Sequence, residues 1–475
     1  MPKIPNKSTS NGSRLESRIT SGKGLDVVSP LPSRIKRLEA ILERIRPIPS
    51  EWIEGVKIPG VGKEAQTDKN ALQPTECHEY RTLLLAWKKA MRWRQVMDDV
   101  LSTMLGVAIS TMQSGDQLFM QVIGDAGGGK TRFCDAMLVS KYCYALEHLT
   151  GFHSGFKDSE GNCYSLLDRI NNKTLITPEG DVIMSSPHFM EIMSQGRRIF
   201  DGTSKAVYKN SLEDQSFSGL RTPWIMAGTQ ALLETDQSRL GDRFLKVFID
   251  SPDHSEKKDI LRRVGYSALR SVMITVTEQA EGQIDPLMVT AYKLTGGYVD
   301  YLRTNVSTLL AQLVFDEDEL VSYCAMLGEF AADMRARPDP DIRKDSTPTK
   351  ELPTRLTSQF IRLACCIGAV LNRNTIDADI LRRVRKVALD TSRGISIEIV
   401  KSIYSTGSMG AETKGIAIDI NRHEDKTRAM LRFLYAIEVA ETFRPESDVK
   451  AGVKSKPRWR LTQRFQEIYE RVLDE

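Results

Sequence analysis

The chain has 475 residues, 41% of them hydrophobic and 27% charged, the balance of a soluble globular protein with roughly two to four domains. Its 66 basic and 62 acidic residues leave a formal charge of +4, too mild by itself to establish a nucleic-acid partner. No apolar run is long enough for a bilayer, the opening Met1-Pro-Lys-Ile-Pro-Asn-Lys lacks a signal-peptide apolar stretch, and the seven scattered cysteines suit reduced thiols in a cytosol.

Residues 1–75 read as a flexible basic arm rich in Ser, Gly, Pro, Lys and Arg. One helical stretch breaks it, Ser33 to Ile45, with Ile35, Leu38, Ile41 and Leu42 on one face. A core spans residues 76–250 and opens with helices at Tyr80–Trp93 and Gln95–Thr111, the second carrying Val100, Met104 and Val107 at helical spacing. Next come a strand at Gln117–Ile123, a helix from Thr131 to Leu149, a strand at Thr174–Thr177 and a helix at Ser186–Gln195. Strands Trp224–Ala227 and Phe244–Ile249 complete it. This alternation predicts an α/β core, a parallel sheet with helices on both faces. Residues 251–405 read as a helical region, divided by a polar, proline-bearing break from Arg335 to Pro353. Residues 406–475 read helix, helix, basic turn and the extended Arg458–Thr462, the order of a winged helix-turn-helix.

Between the first strand and its helix stands Gly124-Asp125-Ala126-Gly127-Gly128-Gly129-Lys130-Thr131, a complete G-x-x-x-x-G-K-[ST] motif, followed by Arg132. Its glycines let backbone N–H groups turn inward into an anion-binding nest, and the next helix aims its positive end at the same place. Lys130 is expected to reach the β- and γ-phosphates of ATP, and the Thr131 hydroxyl to bind Mg²⁺. A triphosphatase also needs a carboxylate at a strand end. Glu179 and Asp181 follow Thr174–Thr177 in the run Pro-Glu-Gly-Asp, with Glu179 preferred as the second metal ligand and a solvated turn as the alternative. Thr229 ends the strand Trp224–Ala227, where a polar group can touch the γ-phosphate or attacking water, or simply start a turn. Arg239 and Arg243 precede the last strand, placed either as fingers for a neighbouring subunit's site or as partners of Asp242 or Asp250.

Together these residues resemble the AAA+ ATPases, in particular the hexameric helicase branch that includes the minichromosome-maintenance proteins. The resemblance covers residues 76–405 and carries the phosphate loop, a Walker-B-like strand, a sensor-1 strand and an arginine finger in the family's order. A fifth feature, Pro353-Thr-Arg355-Leu-Thr-Ser-Gln-Phe-Ile-Arg362, is similar to the sensor-2 helix of the lid and makes Arg355 a γ-phosphate contact. Two positions depart from the family: Pro-Glu-Gly-Asp replaces Asp-Glu, and Thr229 stands where Asn is common. No counterpart of the large N-terminal oligonucleotide-binding domain is evident, and the composition resembles ATPases of phages and mobile elements, which implies a cytoplasmic location, the host's if phage-encoded.

The resemblance implies an ATP-driven DNA helicase or translocase acting as a ring, a hexamer, on single-stranded or forked DNA in replication, with replication proteins as further partners and no membrane. Its DNA hairpin falls at Gln195–Arg221, where Lys205, Lys209 and Arg221 suit phosphate contacts and Tyr208 base stacking. In the winged helix, the Asp425–Glu438 helix presents Lys426, Arg428 and Arg432, and the wing Lys450, Lys454, Lys456 and Arg458. The alternatives are a loader or regulatory ATPase that binds DNA without unwinding, and a nucleotide-gated scaffold whose winged helix binds protein. Cys143, His148, His153 and Cys163 lack the close cysteine pair of most zinc sites. They read as buried thiols and loop histidines, and Cys365-Cys366 as lid core.

Overall fold

The apolar run Phe119–Gly124 is buried along its whole length, as expected of a central parallel strand covered on both faces. In the computed structural model of the chain it is β1. The described residues are 72–113, 115–125, 127–153, 155–157, 163–206, 215–234, 243–252, 256–258, 260–262, 264–266, 269, 285–338, 352–444 and 457–474. The arm and the Ser33–Ile45 helix lie outside them.

Five strands form the central sheet: β1, β2 (Cys143–Ala145), β5 (Thr174–Thr177), β8 (Trp224–Gly228) and β9 (Phe244–Ile249), in the order β2-β5-β8-β1-β9. All four pairings are parallel. Two antiparallel ribbons stand apart from the sheet, β3 (Gly155–Lys157) with β4 (Cys163–Ser165), and β6 (Thr203–Ala206) with β7 (Gln215–Ser218). The expected helix over Thr131–Leu149 is shorter: it runs Lys130–Met137, and Cys143–Ala145 pairs instead with Thr174–Ile176 at the sheet edge. Those three residues are too few to show a period of their own, and the pairing partner decides their state.

One face of the sheet buries Phe119, Trp224 and Phe244 against Ile192 and Phe200 of the Phe189–Phe200 helix. Phe119 meets Phe200 edge-on at 5.2 Å between ring centroids, a geometry favoured by the ring quadrupoles. The Gln95–Ile109 helix, buried from Met97 onward, covers the other face; it is apolar from Met104 to Ile109 and buries Asp98, Asp99, Ser102 and Thr103 in its first half.

β9 is an edge strand, and exposed edges offer unpaired backbone groups. Here the end of the Ala378–Thr391 helix closes it: Thr391 Oγ1 accepts the Lys246 N–H at 2.9 Å, and Asp390 accepts the Phe248 N–H at 2.9 Å. Helices Pro286–Ala311, Glu317–Arg335 and Thr354–Val370 are further long helices of this region. Asp285, Asp316 and Asp377 cap three of the helices here through their side chains, each satisfying an N–H that the first turn leaves open. Among the described residues no helix is long and apolar enough to cross a membrane.

The C-terminal group holds helices Ile395–Ser405, Thr413–Asp419 and Glu424–Ala436, the ribbon β10 (Ala440–Phe443) with β11 (Arg458–Leu461), and a last helix Gln463–Asp474. Ala411 bridges to Trp459 and adds a third extended segment to the ribbon. Ile395–Ser405 packs on β11 and on Glu424–Ala436, so this group begins well before residue 406.

A buried ionic cluster fastens the N-terminal helices to the Ala378–Thr391 helix. Arg383, 4% exposed, reaches Asp98 at 3.1 Å, Asp99 at 3.3 Å and Asp379 at 3.2 Å, and Tyr80 donates to the Asp98 carboxylate. Burial pushes the Asp379 carboxyl up, yet its contacts with Arg382 and Arg383 more than offset this and hold it below its ordinary 3.8. Arg383→Ala leaves the buried Asp98 carboxylate without its cation, while Asp99 keeps Arg382 at 2.7 Å, and is expected to cost about 3–5 kcal/mol in urea unfolding. The half-exposed Arg382 should cost less. The Asp379 contribution is full above the ordinary carboxyl value and should fade as pH falls through the lower folded one, which stability measured against pH will read.

Candidate functional site

Register levels the carboxyl ends of three strands. Ile123 pairs with Gly228, and Gly124 with Ile249. The chain leaves β1 toward the edge strand β2 but leaves β8 across β1 to β9. Connections that depart in opposite directions open a crevice at the strand ends, where ligands of open α/β sheets bind. The glycine-rich loop occupies that crevice.

Within the loop Gly127 and Gly129 take φ of 78° and 94°, left-handed values that side chains resist. The Gly128 N–H closes a turn onto the Asp125 carbonyl at 3.1 Å. Gly124 is required for another reason: a Cβ there would lie 2.8 Å from the Ile249 carbonyl oxygen. Lys130 opens the following helix and is 7% exposed, its Nζ donating to the carbonyls of Gly124 at 2.5 Å and Asp125 at 2.7 Å. Burial lowers its pKa, while the Asp181 and Asp125 carboxylates act in the opposite sense. Thr131 and Arg132 are exposed in the first helical turn.

The two acids of the Pro-Glu-Gly-Asp run part company. Glu179 is exposed and precedes the short Gly180–Met184 helix. Asp181 turns inward, and both its carboxylate oxygens accept the Thr229 N–H, at 3.2 and 3.0 Å. Asp181 is therefore the acid that adjoins both the end of β8 and Lys130. The Thr229 hydroxyl accepts the Ala231 N–H at 3.3 Å, starting the short Ala231–Glu234 helix. Gly180 makes the approach of Asp181 possible, since a Cβ there would lie 2.3 Å from Met226 Cγ. Sequence reading passed over Gly180; its only signal is a glycine between two acids.

Arg243 lies at the opposite end of the sheet. It precedes Phe244, which pairs with Phe119, whereas Ile249 pairs with Gly124. Six strand steps of about 3.3 Å separate it from its own loop, far beyond the reach of an arginine side chain. It pairs with Asp201 at 3.2 Å and lies over the Phe200 ring. Gln359 donates to the Arg243 carbonyl at 2.9 Å, which brings Arg355, one turn earlier on the same helix, to this end as well. Arg243 is lowered in pKa by burial first, against the pull of Asp201, with Arg355 and Arg197 adding to the lowering. Lys205 is exposed on β6 of the ribbon that leaves the sheet here. Arg221 anchors the return: its backbone N–H donates to Asn171 and its carbonyl accepts from Asn172.

On the Glu424–Ala436 helix Lys426 and Arg432 are exposed, while Arg428 is paired with Glu424 and, at 3.1 Å, with Asp425. Ala126, Tyr208, Lys209, Arg239, Lys450, Lys454 and Lys456 lie outside the described residues. Of the four candidate zinc ligands, Cys143 is in β2, His148 is exposed and His153 bonds Ser204 at 2.6 Å. The Cys163 side chain lies outside the description.

Gly180→Ala drives a methyl into Met226 and is expected to cost about 1–3 kcal/mol in thermal or urea unfolding. Glu179→Ala, at an exposed position, should leave the unfolding midpoint where it is. Equal losses from the two would contradict the inward and outward placement of this turn.

A scan against protein-family models and a search of curated proteins find no match to this chain.

Proposed function

We propose that the chain is a P-loop ATPase of the AAA+ kind, a ring-forming, ATP-driven DNA helicase or translocase. The observation that carries this reading is the joint placement of two features. The glycine loop with Lys130 lies at the sheet's switch point, on the strand beside the one that ends at Asp181-bound Thr229. Arg243 and Arg355 gather at the opposite end of the same subunit. A triphosphate seated on the loop would lie against Lys130, with its Mg²⁺ held by the Thr131 hydroxyl and the carboxylate of the Pro-Glu-Gly-Asp turn. Asp181 suits that position better than Glu179 on its contacts. The arginines, out of reach of their own loop, would serve the loop of the next subunit.

In the hydrolysis so proposed, water attacks the γ-phosphorus and the bond to the β-bridging oxygen breaks. The proton of the water passes to a carboxylate or to solvent. Lys130 and the neighbour's arginines meet the charge that develops on the transferring oxygens. The elevated cost of keeping Lys130 charged while buried fits a lysine awaiting phosphates: they would replace the loop carbonyls as its partners.

DNA would run along the β6–β7 ribbon, with Lys205 on β6, Arg221 where the chain returns to β8, and Tyr208 and Lys209 in the segment of sequence between β6 and β7. The C-terminal group has the order helix, bridge strand, helix, helix, two-stranded ribbon, which supports a winged helix beginning at Ile395. One observation favours protein rather than DNA as its partner: Arg428 is already engaged by two acids on its own helix. The scaffold reading gains from that, and from Tyr435 exposed on the same helix.

Hydrolysis assayed with and without single-stranded DNA tests the motor reading. Stimulation by DNA, strand separation on a forked duplex and loss of both in Lys130→Ala are the expected results. Asp181→Asn should lower the rate by about 100-fold or more, and Glu179→Gln by little. DNA-stimulated hydrolysis without strand separation would favour the loader. No stimulation, with binding unchanged after Lys205→Glu, would overturn both.

A further inference from the structure

The loop that holds the lysine is joined to the C-terminal group by a short series of bonded side chains. Asp125, inside the loop, accepts a hydrogen bond from Ser251, the second residue after β9. The neighbouring Asp250 is gripped by Arg393 through both guanidinium nitrogens, at 2.7 and 3.1 Å. Its carbonyl is fixed from the other side by Arg94 at 2.7 Å. Arg393 is itself oriented: Nε donates to Asp390 at 3.0 Å, and the guanidinium lies 4.0 Å over the Phe248 ring. A planar, bidentate and stacked arginine holds one geometry in a way that a lysine cannot.

Arg393 also sits at a joint. The next residue, Gly394, has φ of 148° and begins the Ile395–Ser405 helix, the first of the C-terminal group. A Cβ at Gly394 would lie 2.7 Å from Arg337 Nη2, and Arg337 donates to Ser396 Oγ at 3.2 Å. The helix thus leaves the joint in one direction, with Arg393 on the near side and Arg337 across it. Loop and helix are thus linked through one hydrogen bond, Ser251 to Asp125, and one ion pair, Asp250 with Arg393.

We infer that the Asp250–Arg393 pair is a positioning element that transmits occupation of the Gly124–Thr131 loop to the Ile395–Ser405 helix. A phosphate drawn onto the loop displaces Asp125 by like-charge repulsion, Ser251 follows its acceptor, and Asp250 carries Arg393 with it. Because coupling is reciprocal, whatever the C-terminal group binds alters nucleotide affinity in turn. The inference rests on the nucleotide reading of the loop but needs no DNA and no hydrolysis.

Hydrogen exchange of the full chain, with and without ADP and Mg²⁺, separates the two. Protection is expected to change both at Gly124–Met137 and at Gly394–Ser405. In Arg393→Ala the first change should persist and the second should vanish. Arg393→Lys keeps the charge without the fork and should retain only part of the second, which guards against a variant that is merely unfolded. A second change that survives in Arg393→Ala overturns the relay, as does its absence in the unaltered chain when the loop responds. No response at the loop itself would overturn the nucleotide reading, and the relay with it.

Discussion

The parallel register of β1 between β8 and β9 is the constraint on which the rest depends. It places Gly124, Gly228 and Ile249 side by side at one end of the sheet. A one-residue slip would turn every side chain of β1 to the other face, exchanging Phe119 and Ile123 for their neighbours in a core built around Trp224. Burial of the aromatic cluster therefore fixes the level at which the loop begins. The loop inherits its position from packing, and Lys130 and Asp181 come near one another because their strands are held in step.

The same register sets the distance between the loop and Arg243. β1 and β9 are paired with each other along their whole length, so the spacing cannot shrink without breaking the sheet. On the proposed reading this rigidity is useful. One subunit presents a phosphate cradle at one end and a cluster of arginines at the other, and neither is complete alone. Arg197 and Arg355 act as like charges on Arg243, which pairs with Asp201, and on the proposed reading an incoming phosphate would relieve that repulsion.

Much of the core was legible in the sequence. Strands Thr174–Thr177 and Phe244–Ile249 have the bounds read from the sequence, because burial on both faces leaves a nearly continuous apolar run, broken in the second only at half-buried Lys246. The turn between β1 and the next helix was legible from its glycines, two of which take positive φ. The limits lie where tertiary structure decides. Cys143–Ala145 is a strand only because Thr174–Ile176 is beside it. The β3–β4 ribbon consists of two three-residue strands with no alternation to read. Glu179 and Asp181 look equivalent along the chain, and only Gly180 against Met226 separates an exposed acid from one bonded to Thr229. Closure of the β9 edge by Asp390 and Thr391, some 140 residues away, has no local trace at all.

On the proposed function, a working site is shared between two copies of this chain. Mixing two inactive variants tests it most directly. Lys130→Ala chains keep their arginines, and Arg243→Ala chains keep their loops. Co-assembled, they should form some sites with an intact loop facing an intact arginine, and ATP hydrolysis should reappear in the mixture. If each variant alone is inactive and the mixture, shown by sizing to co-assemble, is inactive too, or if Arg243→Ala alone hydrolyses ATP at the unaltered rate, the shared site is contradicted.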